Sequence, residues 1–349
     1  YKGLTTLRDA IIDSNNIVAV KAITALTPQV GFDFLQKLGF TTLVNNRVNT
    51  NGAYESDVNQ SLSLGGITDG VTNVELTAAY AAIANQGTYN KPVLYTTVKD
   101  SNGNVLLSNK TSSRKVMKKS TAWLLTNAME DVIKKGTGRE AQLDSDMATA
   151  GKTGTTSNNY DYWFCGYTPY YTASVWTGYD YNTSFDNDKD YHKVIWKKIM
   201  DRIIKETKQS AKSFPACKSI KKASICMKSG KKPLPDICAK DPQKSMVRTE
   251  YFAPGTVPKD SCDAHIAVTF CSKSHLVAQK FCPEKFRYTK VFRVRPKHST
   301  GKTEDEPYFL NIDINKKKCN IHTNEWYLKK QEKKKKKQED KLKKQQEQQ

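Results

Sequence analysis

The side chains best suited to chemistry fall in two short stretches far apart in the chain. One is ATAGKTGTTSNNY, Ala148 to Tyr160; the other is Ser14-Asn15-Asn16. In the first, Lys152 supplies a positive charge. Thr153 and Thr155 supply hydroxyls on one face of a strand, because alternate residues share a face. Gly154 between them has no side chain, so another backbone can approach closely. Together they read as an exposed strand edge that holds a carbonyl and a carboxylate and accepts a peptide-like ligand as an added strand. Gly151-Lys152-Thr153 also resembles the end of a phosphate loop, but that motif needs a glycine where Asp146 stands. Ser14 and Asn16 taken alone read as capping and turn residues.

These residues need a scaffold, and the pattern supplies one. Leu4, Leu7, Ile11 and Ile12 are spaced for a helix that closes at Ser14, and Ile17 to Leu26 is a second apolar run ended by Pro28. Residues 31–40 predict a short helix ending at Gly39, and 45–62 a polar loop. A helix starts at Thr72 or Asn73 and stops at Gly87. Residues 93–107 alternate around Asp100-Ser101-Asn102-Gly103, a hairpin signal. Residues 119–135 predict a helix ended by Gly136-Thr137-Gly138. Three strands follow, Met147 to Thr156, Asp161 to Thr168 and Thr172 to Tyr179, and then a closing helix, Tyr191 to Ile204. Helices, antiparallel strands and a covering helix predict an α+β fold.

The charge is uneven. Of a formal net charge of +21, residues 1–203 carry 21 basic against 19 acidic side chains, and residues 204–349 carry 35 against 16. The first part is an ordinary globular composition. The basic second part raises nucleic acid as a partner, but no zinc-finger spacing, RNA-binding motif or helix-turn-helix supports it, and none is expected. Anionic wall polymers or lipid headgroups would attract the same charge. No run of about 18 apolar residues is present. The chain opens at Tyr1 as if within a domain, so a piece of a longer protein is expected.

Several pieces together carry a resemblance: GLTTLRDAIIDSNN, SLGGITDGVTNVELTAAYAAIANQGTYNKP, KKGTGREA, AGKTGTTSNNYDYWFCGYTPYYTASVWTGYD and VIWKKIM. In this order and spacing, residues 1–203 resemble the later part of the transpeptidase domain of class A (bifunctional) penicillin-binding proteins. K-T-G preceded by S-x-N is part of the signature of penicillin-recognising serine enzymes. The resemblance implies a penicillin-binding/β-lactamase-like fold, a helical subdomain on a five-stranded antiparallel sheet. It implies acyl transfer on peptidoglycan stem peptides through a serine acyl-enzyme, with β-lactams as inhibitors, no cofactor, and a membrane-anchored enzyme on the extracellular face. Carried over by motif, Ser14 relays a proton to the leaving amine and Asn16 holds a substrate amide. Lys152 stabilises the ionised network, and Thr153, Gly154, Thr155 and Thr156 bind substrate. The Thr155 N–H is one oxyanion donor, a contribution of roughly 3–4 kcal/mol in such sites.

The third motif, S-x-x-K with the nucleophile, does not precede Ser14. It occurs at Ser112–Lys115, Ser219–Lys222, Ser229–Lys232 and Ser299–Lys302, as expected by accident in a lysine-rich chain. This chain alone is therefore expected to be inactive. A D,D-carboxypeptidase and a catalytically inactive wall-binding relative are the alternative readings; a β-lactamase is not, since no deacylating glutamate segment is present.

The domains expected are a partial transpeptidase domain over 1–204, a basic Cys-rich extension over 205–328, and a Lys/Gln-rich tail over 329–349 that is disordered or a solvated helix. In the extension, Cys217, Cys226, Cys238, Cys262, Cys271, Cys282 and Cys319 read as disulfides of an exported protein, with the pairing open and one cysteine left over. No metal site is expected, because C-x-x-C is absent and the ligand spacing is poor. Cys165, inside WFCGY, reads as a buried strand residue. TEYFAPGTVPKDSCDAH resembles tail segments of some Gram-positive members of the same family.

Overall fold

The computed structural model describes residues 2–185, 190–297 and 301–346. They form two compact units. The first is Thr6–Lys222 with Tyr251–Val257; the second takes residues up to Thr5, Ala223–Glu250 and the chain from Pro258 onward. The main division thus falls after Lys222, later than residue 204. The intervening segment is held by the first unit: Ala148 N–H donates to the Lys212 carbonyl at 3.1 Å, and Phe214 packs edge-on against Tyr167.

In the first unit the helices start where side-chain oxygens can cap them. Thr6 caps α1 (Leu7–Ile12), Asn15 caps α2 (Asn16–Leu26) and Thr72 caps α4 (Asn73–Ala84), each accepting an early backbone N–H. α3 (Pro28–Lys37) begins earlier than the apolar pattern predicts, because Pro28 occupies its first turn, where a missing N–H costs nothing. Short hairpins and pairs follow: β1 (Arg47–Val48) with β2 (Tyr54–Glu55), β3 (Thr88–Asn90) with β6 (Ser113–Lys115), and β4 (Thr97–Lys99) with β5 (Val105–Ser108). α5 (Lys119–Lys135) leads into the sheet.

The sheet is antiparallel, in the order β7 (Ala150–Thr155), β8 (Asp161–Tyr167), β9 (Thr172–Gly178), with β7 on an edge. Among the described residues it has three strands, where the resemblance implied five. β8 is buried on both faces. Phe164 faces α6 (Tyr191–Glu206), whose Trp196 meets it edge-on at 5.0 Å. Tyr167 faces the opposite way, and its hydroxyl bonds Thr126 of α5 at 2.8 Å. Cys165, 2 % exposed, is a strand residue as expected, and burial pushes its thiol up to about 12. Gly166 makes the α6 contact possible. A Cβ there would stand 2.7 Å from Trp196 Cζ2, so only glycine lets the indole lie this close. The α+β expectation holds, with helices on both sheet faces.

The second unit holds most of one strand pair, β10 (Lys221–Cys226) with β11 (Val247–Phe252), and all of another, β12 (His265–Cys271) with β13 (Arg287–Arg293). Its apolar clusters are largely sulfur: Cys226, Cys238 and Cys262 with Met246 and Ala264, and Cys271, Cys282 and Cys319 with Ala278 and Phe286. The structure departs from the disulfide expectation, since none of the eight cysteines is joined to another. Six of them instead gather in threes, each trio around a histidine. α7 (Asn324–Gln346) covers most of the tail and buries no residue; Glu347 to Gln349 lie outside the described residues. No single described helix is long and apolar enough to cross a membrane.

Candidate active site

The site is assembled by α1, the α5 terminus and β7. Arg8 spreads its guanidinium over α5, donating to the Asn127 carbonyl at 3.1 Å, the Asn127 side-chain oxygen at 2.8 Å and Asp131 at 3.0 Å. This fork fixes α1 along α5. The α1 terminus then rests on the turn after α5: Thr137 N–H donates to the Ile12 carbonyl at 3.4 Å. Gly136 permits that approach, because a Cβ there would sit 2.6 Å from the Ile12 oxygen. The loop that follows α1 carries Ser14 towards the sheet edge.

There the two stretches meet. Lys152 Nζ donates to Ser14 Oγ at 2.8 Å and to the Thr153 carbonyl at 3.0 Å. An ammonium has three donors and no acceptor, so Ser14 Oγ accepts, and the Ser14 hydroxyl hydrogen is left free to donate. Ser14 holds φ +53°, a left-handed conformation unusual outside glycine and asparagine, and such strain concentrates at functional sites. Burial pulls the Lys152 pKa down to about 8. Among the described residues Lys152 has no carboxylate partner in an ion pair, so nothing offsets the desolvation.

The other expected residues divide. Thr153 Oγ1 is 2.8 Å from Thr137 Oγ1, so Thr137 orients the first hydroxyl of the strand. Thr137 in turn is held from behind, its carbonyl accepting from Lys193 Nζ at 3.1 Å. Sequence reasoning did not assign Thr137 a role, although the Gly-Thr-Gly break after α5 marked the position. Gly154 and Thr155 continue the edge strand, with Thr155 exposed. Thr156 is engaged elsewhere: its hydroxyl donates to Asp161 Oδ2 at 3.0 Å and accepts from the Asp161 N–H at 2.9 Å, closing the turn into β8. Asn16 lies exposed in the first turn of α2. Of the S-x-x-K matches, Ser229 serves a local turn, accepting from Lys231 N–H at 3.2 Å, and Ser299 lies outside the described residues.

A family model described as the penicillin-binding protein transpeptidase domain matches residues 1–204, and one described as the penicillin-binding protein 1A C-terminal domain matches residues 216–267. Penicillin-binding protein 1A of Clostridium novyi is 32% identical over 323 residues, 92% of this chain and 36% of that protein. Penicillin-binding protein 1A/1B of Bacillus subtilis is 32% identical over 276 residues, 74% of this chain and 28% of that protein. The chain thus spans about a third of the length of the curated relatives it matches. Among solved structures, penicillin-binding protein 1A of Haemophilus influenzae superposes with a TM-score of 0.57 at 20% identity, over 74% of this chain and 41% of that one. That likeness speaks to the fold. The penicillin-binding protein PonA1 of Mycobacterium tuberculosis gives 0.52 at 26% identity, over 60% and 59% of the two chains; the same protein in complex with penicillin V gives 0.51, over 60% and 58%. The match over residues 1–204, on a fold whose edge strand joins Lys152 to Ser14, places this chain in the penicillin-binding protein family by its transpeptidase domain.

Proposed function

We propose that this chain forms one wall of a D,D-transpeptidase groove, in which a serine acyl-enzyme transfers a stem-peptide acyl group to a neighbouring amine of peptidoglycan. The observation that carries this reading is the 2.8 Å contact of Lys152 with Ser14, which joins two motifs separated by most of the domain. The acylated serine and its lysine belong to residues outside these 349, as does the membrane anchor that holds the enzyme at the extracellular face. Lys152, as donor, orients Ser14 Oγ; as the Ser14 hydroxyl hydrogen passes to the leaving amine, Ser14 Oγ takes a proton from the Lys152 ammonium, the proton-relay role of a general acid. Asn16 holds a substrate amide. Thr153, oriented by Thr137, and Thr155 bind the terminal carboxylate, Gly154 allows the substrate backbone to approach, and the Thr155 N–H donates to the oxyanion. Thr156 supports the strand through its turn with Asp161. β-Lactams enter the same groove, as the penicillin V complex of PonA1 suggests for a relative.

The test uses the complete gene product containing these residues, labelled with a fluorescent penicillin. Ser14→Ala lowers the acylation rate about 100-fold or more, in the range typical of proton-transfer groups, and Thr155→Val weakens labelling by raising the concentration needed. Acylation unchanged in Ser14→Ala refutes the relay; no labelling of the wild type favours a wall-binding relative.

The exposed helix α7 carries the basic character further. From Lys329 to Gln346 it holds ten lysines against three acidic residues. It attracts anionic wall polymers. Deleting residues 329–349 is expected to reduce binding to purified walls at low salt and to flatten its salt dependence; identical binding curves would remove this role.

A further inference from the structure

The second unit contains the same small module twice. In each copy a strand ends on a cysteine, Cys226 or Cys271, followed by x-Lys-Ser and a turn residue in the left-handed region, Gly230 at φ +70° or His275 at φ +58°. The turns close identically, Gly230 N–H to the Cys226 carbonyl and His275 N–H to the Cys271 carbonyl, both at 2.8 Å. Ser229 and Ser274 cap the backbone two residues on, at Lys231 and Leu276. A second cysteine follows, Cys238 or Cys282, whose sulfur accepts a backbone N–H at 3.3 Å from Leu234 or Gln279. The segment after the turn then runs as a parallel bridge beside a C-x-x-H element: Lys232 with Ser261 just before Cys262-Asp263-Ala264-His265, and Val277 with Lys318 just before Cys319-Asn320-Ile321-His322. The family match over 216–267 spans the first copy.

Each copy converges three sulfurs and one imidazole nitrogen on one point. All eight residues are buried, and within each set of four the ligand atoms lie within 4.8 Å of one another. His265 Nδ1 is 3.4 Å from both Cys226 and Cys262 sulfurs; His322 Nδ1 is 3.3 Å from Cys271 and 3.6 Å from Cys319. A tetrahedral zinc, with ordinary zinc–sulfur and zinc–nitrogen lengths, separates a sulfur from a nitrogen by about 3.6 Å. A disulfide needs two sulfurs at about 2.0 Å, and would leave the third cysteine and the histidine of each set unused.

The surroundings are those of ligands held in place. His265 Nε2 lies 2.8 Å from Asp241 Oδ2, so the carboxylate fixes the ring with Nδ1 towards the sulfurs. Asp241 is itself gripped by Arg293 at 2.7 and 2.8 Å. His322 is instead clamped by rings, stacked on Phe286 and meeting Trp326 of α7 edge-on at 4.6 Å. Four protein ligands leave no open position, which marks a structural site and not a catalytic one.

We propose that the second unit binds two zinc ions, one in each Cys3His set, as the structural centres of a duplicated module. Two ions occupy the places where an ordinary domain of this size would put apolar side chains, which fits clusters built mainly from cysteine. The spacing argument against metal ligation fails because each set draws on a strand end, a turn and a distant C-x-x-H.

The test takes the whole chain, purified without added reductant or chelator and desalted. Metal analysis is expected to give two zinc per chain, and the intact mass in denaturant to show no loss of two hydrogens per cysteine pair. Cys238→Ser and Cys282→Ser each lower the content to about one, and together to none. Cobalt(II) exchanged for zinc gives intense thiolate-to-metal absorption with tetrahedral d–d bands. Should either serine variant fail to fold, His265→Cys keeps four ligands and is expected to retain two ions. A chain without zinc whose mass shows disulfides overturns the proposal, as does a zinc content that the cysteine substitutions leave unchanged.

Discussion

Replacing Lys152 with methionine raises the stability of the first unit at neutral pH and, in the complete enzyme, removes most of the acylation. The two effects have one cause. Burial lowers the Lys152 pKa from its ordinary 10.5 to about 8, so keeping the ammonium in the fold costs free energy. The sign follows from proton linkage: between about pH 8 and 10.5 the unfolded chain binds this proton and the folded chain does not, so wild-type stability rises with pH across that window. Below pH 8 the penalty is present in full. Each pKa unit corresponds to about 1.4 kcal/mol. Allowing for water at the open edge and for two lost hydrogen bonds, methionine is expected to gain about 1–2 kcal/mol at pH 7. The gain shrinks towards zero as pH approaches 10.5. Denaturant melts of both chains at pH 7, 8.5 and 10 measure it; a gap that stays constant over this range rules out the buried charge as its source. In the complete enzyme the same substitution leaves Ser14 Oγ without its donor, and acylation by fluorescent penicillin falls about 100- to 10,000-fold, the range of acid–base groups.

The legibility of this site in the sequence has a physical basis, and so do its gaps. Lys152, Thr153 and Thr155 were readable because a strand fixes which side chains share a face, and Ser14 because it follows a helix whose apolar period is plain. The left-handed backbone of Ser14 was not, since strain is supplied by what surrounds a residue and not by its type. Thr156 differs from Thr155 only in having Asp161 opposite it across a turn, which no local pattern announces. Thr137 sits in a readable helix stop, yet its partner hydroxyl belongs to a strand formed later in the chain. The apolar period alone starts α3 at Gly31, whereas Pro28 opens its first turn. The cysteines are harder to read, for a sharper reason. Disulfide and metal readings rely on linear spacing, but here the four ligands of each set come from three elements. The repeated C-x-x-H and the repeated Cys-x-Lys-Ser were the available signals, and they mean little until the strands bring them together.

Arg293 ties two buried carboxylates of the second unit together, and Arg293→Met is expected to cost about 3–5 kcal/mol, the usual range when one partner of a buried ion pair is removed. The guanidinium is 2 % exposed and serves two buried carboxylates. It donates to Asp241 through two nitrogens, to Asp305 at 2.5 Å and to Gln243 at 2.7 Å. Methionine fills most of the volume, so the loss is electrostatic: Asp241 remains buried with only His265 and the Gln243 N–H beside it, and Asp305 keeps Lys228 at 2.8 Å. Arg293→Lys retains the charge but not the planar fork, and falls between the two. The pH dependence separates this cause from a packing defect. Burial alone would raise the Asp241 pKa, but the hydrogen bonds from Arg293 win and hold it below the ordinary aspartate value. In the wild type that contributes stability above the unfolded pKa, lost as pH falls through the lowered folded one. In Arg293→Met that contribution is lost, because burial then outweighs the hydrogen bonds left to Asp241 from the Gln243 N–H and His265. The gap between variant and wild type is therefore widest near pH 7 and narrows below about pH 4, where aspartate protonates in the unfolded chain. Urea denaturation at both pH values, followed by hydrogen exchange of β12 and β13, measures it. A loss under about 1 kcal/mol, or one equal at pH 7 and pH 4, would show that Arg293 acts by volume and that the carboxylates find other partners.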